Sequence, residues 1–219
     1  GSEMCIRDRS YTVNVDKEQL ETGEQVDGAT IEIEPLEKGG VNWIEVTFDQ
    51  TSEEKAKDTL AAIRAIKDAL GDKVCVGAGT VMSVEQVHQA VEAGAEYMIS
   101  PNVNEAVIRE TKKLDKVSIP GAMTPTEAAF AYECGADIVK LFPAGLLGAA
   151  YIKAVKAPLK HIPVTAVGNV NVENCAEFLK AGAVGVGVGG SLVSAKLVDE
   201  GRFDEITATA KAYVEALAR

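Results

Sequence analysis

Two histidines, one tryptophan and four scattered cysteines are all that 219 residues hold of those types, and each scarcity closes a route. His88 and His161 stand far apart. Neither has a second histidine or a cysteine at zinc-ligand spacing, so a zinc-dependent mechanism is not expected. Composition alone leaves an all-carboxylate magnesium site open. Cys5, Cys75, Cys134 and Cys175 show no C-x-x-C spacing, and a chain of this size needs no disulfide framework, so they read as reduced thiols. Positive charge is short as well: 22 Lys+Arg against 33 Asp+Glu give a net charge of -11, which opposes non-specific binding to nucleic acid or an anionic membrane. No run reaches the roughly 18 apolar residues of a membrane helix, and the first residues lack a signal peptide's apolar segment. These absences predict a cytoplasmic protein with neither nucleic acid nor membrane as partner.

What is present is ordinary globular composition, 47% hydrophobic and 25% charged, at a length that suits one α/β barrel domain. Four segments read alike: "EKGGVNWIEVT", "EAGAEYMIS", "ECGADIVKLF" and "KAGAVGVGVGG", with their first glycines at 39, 94, 135 and 182. Each is a helix end stopped by glycine and followed by a short apolar strand. "VCVG" (74–77), "VSIP" (117–120) and "IPVTAV" (162–167) supply further strands. Thr51 with Glu54, Ser83 with Gln86, and Thr124 with Glu127 have capping-box spacing, and Pro125 suits a first helical turn. Strand and helix alternate throughout, which predicts a parallel sheet covered by helices. A closed (βα)8 TIM barrel is the first expectation and an open doubly wound sheet the alternative. No G-x-G-x-x-G follows a strand, which counts against the latter.

The N-terminal part is less regular. "GSEMCIRDRS" (1–10) reads as a tag or leader outside the fold, leaving 11–219 as a single barrel domain. "YTVNV" (11–15) and "ATIEIE" (29–34) both alternate like strands, so a hairpin and a βα unit fit equally, and the first βα unit is expected to be atypical.

Within "VKLFPAG" (139–145) a lysine interrupts an apolar strand. Alternation puts Val139 and Leu141 on the helix side and Lys140 inward between Ile138 and Phe142. In "VNWIEVTFD" the same rule sends Ile44, Val46 and Phe48 outward and Glu45, Thr47 and Asp49 inward. Active sites of this architecture lie at the C-terminal ends of the strands, so Lys140 and Glu45 are expected at one mouth. A solvated or salt-bridged pair is the bland reading. The sharper one notes that burial disfavours an amine's charged form and so favours attack on a carbonyl, with Glu45 moving the protons that Schiff-base chemistry and carbon-carbon cleavage require. The turns "AVGNVN" (166–171) and "GVGGS" (187–191) follow the last two strands, where backbone N–H groups of many barrels hold phosphate or carboxylate.

"IEVT" with Glu45, "VGAGTV" with Thr80, "ISP" with Pro101, "IPG" at 119–121, "VKLFPA" with Lys140 and "GVGGS" closing at Ser191 occur in an order that resembles the 2-keto-3-deoxy-6-phosphogluconate and 4-hydroxy-2-oxoglutarate aldolases, over roughly 37–219. The resemblance implies a class I aldolase that cleaves a 2-keto acid to pyruvate and an aldehyde, or forms it, with no metal or other cofactor. It implies that Lys140 forms the Schiff base and Glu45 is the general acid/base. Thr80, with Pro101 and Phe142, would line the pyruvate end, and Thr47 would also bind substrate. Gly168, Asn169, Gly189, Gly190 and Ser191 would hold the distal phosphate or its substitute, and a homotrimer is implied. Two departures stand out: Asp49 replaces an arginine that helps bind anionic groups and is expected to repel a carboxylate, and a paired glycine becomes Gly168 followed by Asn169, a residue that tolerates left-handed backbone. Two other functions remain compatible: a non-covalent phosphate-binding barrel synthase or isomerase, and a non-catalytic oligomeric barrel that binds anions.

Overall fold

The computed structural model describes residues 11–15 and 34–218; the 1–10 segment and most of "ATIEIE" lie outside them. Eight parallel strands follow one another: β1 Tyr11–Val15, β2 Trp43–Thr47, β3 Cys75–Gly79, β4 Tyr97–Ile99, β5 in two pieces (Val117–Ile119 and Gly121–Ala122), β6 Val139–Leu141, β7 Val164–Val167 and β8 Gly185–Val188. Pro120 splits β5 because it has no N–H to donate to the ladder. Its carbonyl still accepts from the Lys140 N–H at 2.8 Å. One piece pairs with β4 and the other with β6, and β1 pairs with both β2 and β8. Neighbour order therefore runs β5, β4, β3, β2, β1, β8, β7, β6 and back to β5, a closed (βα)8 barrel rather than an open sheet. "YTVNV" enters it as a parallel strand. Residue 34, the last of "ATIEIE", is not extended but helical, as are 35–38.

Two apolar layers follow from strand alternation. Outward residues such as Ile44, Val46, Met98, Val139, Leu141 and Val186 pack against the helices in one cluster. Inward residues Tyr97, Ile99, Val117, Ile119 and Ile138, with Trp43 and Cys75, form a second inside the barrel. Each fully buried side chain of this size contributes about 1.5–3 kcal/mol.

The caps start the helices near where the sequence puts them. Ser83 accepts from the Gln86 N–H, and Thr124 and Glu127 form a complete capping box with Pro125 in the first turn. At helix Glu53–Leu70 the cap is Ser52, accepting from the Lys55 N–H, not Thr51. Thr51 is otherwise engaged, since both its N–H and its hydroxyl donate to Asp49. Glu54's side chain lies outside the described residues.

The repeated glycines sit at the N-terminal end of the barrel with φ of 106–108° at Gly94, Gly135 and Gly182, a left-handed turn that glycine adopts without cost. Each is covered by a lysine stem from the preceding helix: Lys67, Lys112 and Lys156 respectively. Lys67 then reaches Glu96 at 2.7 Å and Lys112 reaches Asp137 at 2.8 Å. The third position has Val184 instead of an acid, so Lys156 donates to the carbonyls of Leu159, Lys160 and Ile162. In "EKGG" it is Gly40, not Gly39, that takes the positive φ; Gly39 is bare for room instead, since a methyl group there would overlap Ala210 of the C-terminal helix Phe203–Ala218.

Candidate active site

Lys140 points into the barrel as alternation requires and is only 5% exposed. Its Nζ lies 5.1 Å from the centroid of the Phe142 ring and has no hydrogen-bond or ion-pair partner among the described residues. A buried amine without an oxygen partner is unusual, since lysine is among the residues least often buried unless paired. Lys140 stands in register with Gly121 on one side and Thr165 on the other. Gly121 is bare for a reason: a methyl group there would overlap the Pro101 and Ser100 backbone. Pro101 is thereby held over the strand next to Lys140.

On the other flank a cavity of about 360 Å³ opens, walled by Lys140, Phe142, Gly168, Asn169, Gly189, Gly190 and Ser191, with Val167, Val170, Gly187 and Val188. Seven of the residues singled out in the sequence thus share one space. Gly168 and Asn169 have φ of 93° and 55°, so the turn keeps its left-handed course with asparagine in second place. The Gly168 carbonyl accepts from the Gly145 N–H at 2.7 Å. The N–H groups of Gly190 and Ser191 have no backbone acceptor among the described residues. The Ser191 hydroxyl is committed, donating to the Val170 carbonyl and accepting from Tyr213, both at 2.8 Å. What this residue offers an anion is its N–H.

Glu45, Thr47, Thr80 and Pro101 are not part of that wall. β2 and β6 are four strands apart and hence opposite each other across the lumen, so Glu45, 2% exposed, faces Lys140's side from the far strand. Gly79 makes room for its carboxylate, which a methyl group there would displace. Thr80, half-buried, has φ 53°, a conformation a β-branched residue rarely adopts unless its surroundings impose it. Here the Gln50 amide donates to the Thr80 carbonyl at 2.7 Å, and Gln86 donates to Gln50 at 3.0 Å. Ser100 similarly stitches Pro101's loop to Val81, donating to its carbonyl at 2.6 Å.

Asp49 corrects an expectation. Its carboxylate does not project as free negative charge into the mouth: it accepts from the Thr51 N–H at 2.7 Å, the Thr51 hydroxyl at 2.5 Å and Lys55 Nζ at 2.9 Å. The Thr51 hydroxyl first, then Lys55, hold it well below the usual carboxylate range. A larger hollow of about 480 Å³ lies beside it, between the starts of helices Glu53–Leu70 and Val84–Ala93. Lined by Ser52, Glu53, Ser83, Glu85 and Gln86 among others, it lies on the helix side of the barrel and does not include Lys140.

Three inward residues went unmarked in the sequence: Thr165 beside Lys140, and the stacked pair Trp43 and Tyr97, whose ring centroids lie 4.9 Å apart. The same alternation that flags Glu45 applies to "PVTAV" and "EYMIS" and would have found them. Among the described residues no group of three His, Cys, Asp or Glu side chains is placed to hold a metal ion, and no helix is long and apolar enough to cross a membrane.

Comparison with known proteins agrees with this geometry. The family model for KDPG and KHG aldolase matches residues 21–209. The chain is 42% identical over 71% of its length to the 2-dehydro-3-deoxy-6-phosphogalactonate aldolase of Escherichia coli (strain K12), covering 77% of that protein. It is 35% identical over 85% of its length to the 2-dehydro-3-deoxy-phosphogluconate aldolase of Treponema pallidum (strain Nichols), covering 86% of it. Among solved structures, one described as "Native KDPGal structure" superposes with TM-score 0.80 at 33% identity over 94% of both chains. The KDPG aldolase of Legionella pneumophila with pyruvate captured as a covalent carbinolamine superposes with TM-score 0.79 at 25% identity, also over 94% of both. With the family model matched along most of its length and such relatives beside it, the chain belongs to the KDPG and KHG aldolase family and is an aldehyde-lyase.

Proposed function

We propose that the enzyme cleaves a six-carbon 2-keto-3-deoxy acid 6-phosphate to pyruvate and a three-carbon phosphorylated aldehyde, with Lys140 as the Schiff-base lysine. The observation that carries the reading is Lys140 itself: a desolvated amine with no oxygen partner among the described residues, in the wall of a cavity that ends in exposed backbone N–H groups. Lys140 Nζ adds to the keto carbon, and loss of water leaves an iminium that accepts the electron pair of the breaking C3–C4 bond. Glu45 takes the C4 hydroxyl proton as the aldehyde departs and returns a proton to C3 of the enamine. Hydrolysis then frees pyruvate and the lysine. Thr47, Thr80, Pro101 and Phe142 line the pyruvate end, and the N–H groups of the turns at Gly168–Asn169 and Gly189–Ser191 receive the phosphate. The covalent pyruvate of the Legionella relative supports this assignment.

The galactonate epimer is the favoured substrate, since identity is 42% to the phosphogalactonate enzyme against 35% to the phosphogluconate one. Assembly is as a homotrimer in the cytoplasm. Exposed Leu146, at 74%, with Met123, Phe130 and Tyr132, supplies apolar surface for the interface, and a designed cage built by fusing symmetric oligomeric domains superposes with TM-score 0.81. The decisive experiment is intact mass after pyruvate and borohydride, followed by peptide mapping. A pyruvate adduct on the peptide holding Lys140 is expected; a folded sample with no adduct sinks the reading. Comparing kcat/KM for the two epimers tests the substrate, and sedimentation equilibrium tests the trimer.

A further inference from the structure

The floor of the barrel holds a polar atom that the reaction above does not use. Tyr97 is fully buried, its hydroxyl has no hydrogen-bond partner among the described residues, and Ile99, Val117, Ile119 and Ile138 share its layer, with Trp43 and Cys75 packed against them. A buried phenol left unsatisfied costs roughly 1–3 kcal/mol, and phenylalanine would fill the same space without that cost. Yet the interior is shaped around this ring. Trp43 stacks on it at 4.9 Å, and a methyl group at Gly77 would overlap it.

Gly77 is also the register partner of both Glu45 and Tyr97. The two side chains therefore face each other across a single bare strand, with backbones about 10 Å apart at two strand spacings. A tyrosine and a glutamate side chain together span that gap. The Tyr97 ring reaches over Gly77 toward the strand that bears Glu45. Burial pushes the phenol well above its ordinary range, and the nearby Glu45 carboxylate pushes it further, with Cys75 and Glu96 the other titratable groups that act on it. A phenol kept protonated in this way is a permanent donor.

We propose that Tyr97 is a positioning residue for Glu45: its hydroxyl, which has no partner in the fold as described, meets the carboxylate from beneath once substrate is bound to Lys140 and keeps it aimed there. The inference rests on the reading of Glu45 as the group that moves protons. Two assays separate the steps: borohydride trapping of pyruvate reads Schiff-base formation, and deuterium exchange at the pyruvate methyl, followed by NMR, reads proton transfer. Tyr97→Phe should trap pyruvate as the parent does and melt no lower, while its exchange rate falls about tenfold, the size of a lost hydrogen bond to a charged group. In a Glu45→Gln background the same substitution should change exchange no further. Unaltered exchange in Tyr97→Phe, or a further fall in the Glu45→Gln background, overturns this inference alone. Absence of trapping in the parent overturns the Schiff-base reading and takes this inference with it.

Discussion

At the N-terminal end of the barrel, Lys67 and Lys112 hold carboxylates at 2.7 and 2.8 Å. At the C-terminal end Lys140, more deeply buried than either, holds no oxygen among the described residues and lies beside an aromatic ring. One residue type serves two purposes because its surroundings differ. A lysine whose stem covers a glycine turn and whose ammonium meets an acid is a staple, and its charge is satisfied where it stands. A lysine in the lumen with a cavity in front of it and no oxygen beside it is placed to meet a ligand instead, which is the role proposed for Lys140.

The largest effect should come from exchanging the two roles. Lys140→Met removes the amine proposed to form the Schiff base and should lower turnover at least about a thousandfold. It should also leave the melting temperature unchanged or raised, since an apolar side chain of similar volume often replaces a buried charge at no cost. Lys112→Met should do the opposite, keeping turnover and lowering stability. If Lys140→Met unfolds the protein while Lys112→Met is silent, the contrast between the ends fails.

Next in size is a test of what separates them. The layer between the ends is packed against Gly77, and Gly77→Ala forces a methyl group into the Tyr97 ring. Overpacking of this kind costs about 1–3 kcal/mol, measurable as a lower midpoint in urea. A midpoint equal to the parent's would mean that the floor is loose enough to admit the methyl group, and that the lumen does not insulate one end from the other.

Much of the C-terminal end of the barrel is legible in the sequence because period-two alternation is a strict rule: once "VKLF" and "WIEVT" are strands in a barrel, Lys140 and Glu45 must turn inward. The glycine turns at Gly168 and Gly189 are legible for a related reason, since their place after the last two strands says what they face. What alternation cannot supply is the behaviour of side chains beyond the strand ends. Asp49 lies two residues past Thr47, and its fate was decided by the competition of Thr51 and Lys55 for its oxygens, which also moved the helix cap to Ser52. The split of β5 at Pro120 was half visible. "VSIP" marks where the ladder loses a donor, but only pairing shows that the strand resumes at Gly121. At the other end, the glycine repeat was plain while the lysines that cover it were not, because each lies 23–27 residues upstream on a different element.

A smaller effect tests whether the staples matter individually. Asp137 accepts from Lys112 and also from the Ser118 N–H at 2.8 Å, so it joins a helix end to the start of β5. Asp137→Ala should cost about 1–2 kcal/mol, chiefly through the unsatisfied Ser118 N–H, with kcat unchanged. A loss of activity at equal stability would show that this end communicates with the mouth.

The smallest effect is the sharpest. Lys67 is held above its ordinary value of 10.5 by its hydrogen bond to Glu96, whereas burial lowers Lys156, which has no acid beside it. For Lys67 the stabilisation is complete below the unfolded-state value and is lost as pH rises through the higher folded one. For Lys156 the sign reverses: the cation is penalised in the fold at neutral pH, and that penalty fades as both states lose the proton. Melting temperatures of the parent, Lys67→Met and Lys156→Met across about pH 9 to 12 therefore separate the two. The parent's advantage over Lys67→Met should shrink toward high pH, while its advantage over Lys156→Met should grow. Parallel trends would mean that Val184 in the acid's place leaves the third staple electrostatically equivalent to the first, and the distinction between paired and unpaired lysines would then hold only between the ends of the barrel, not within one.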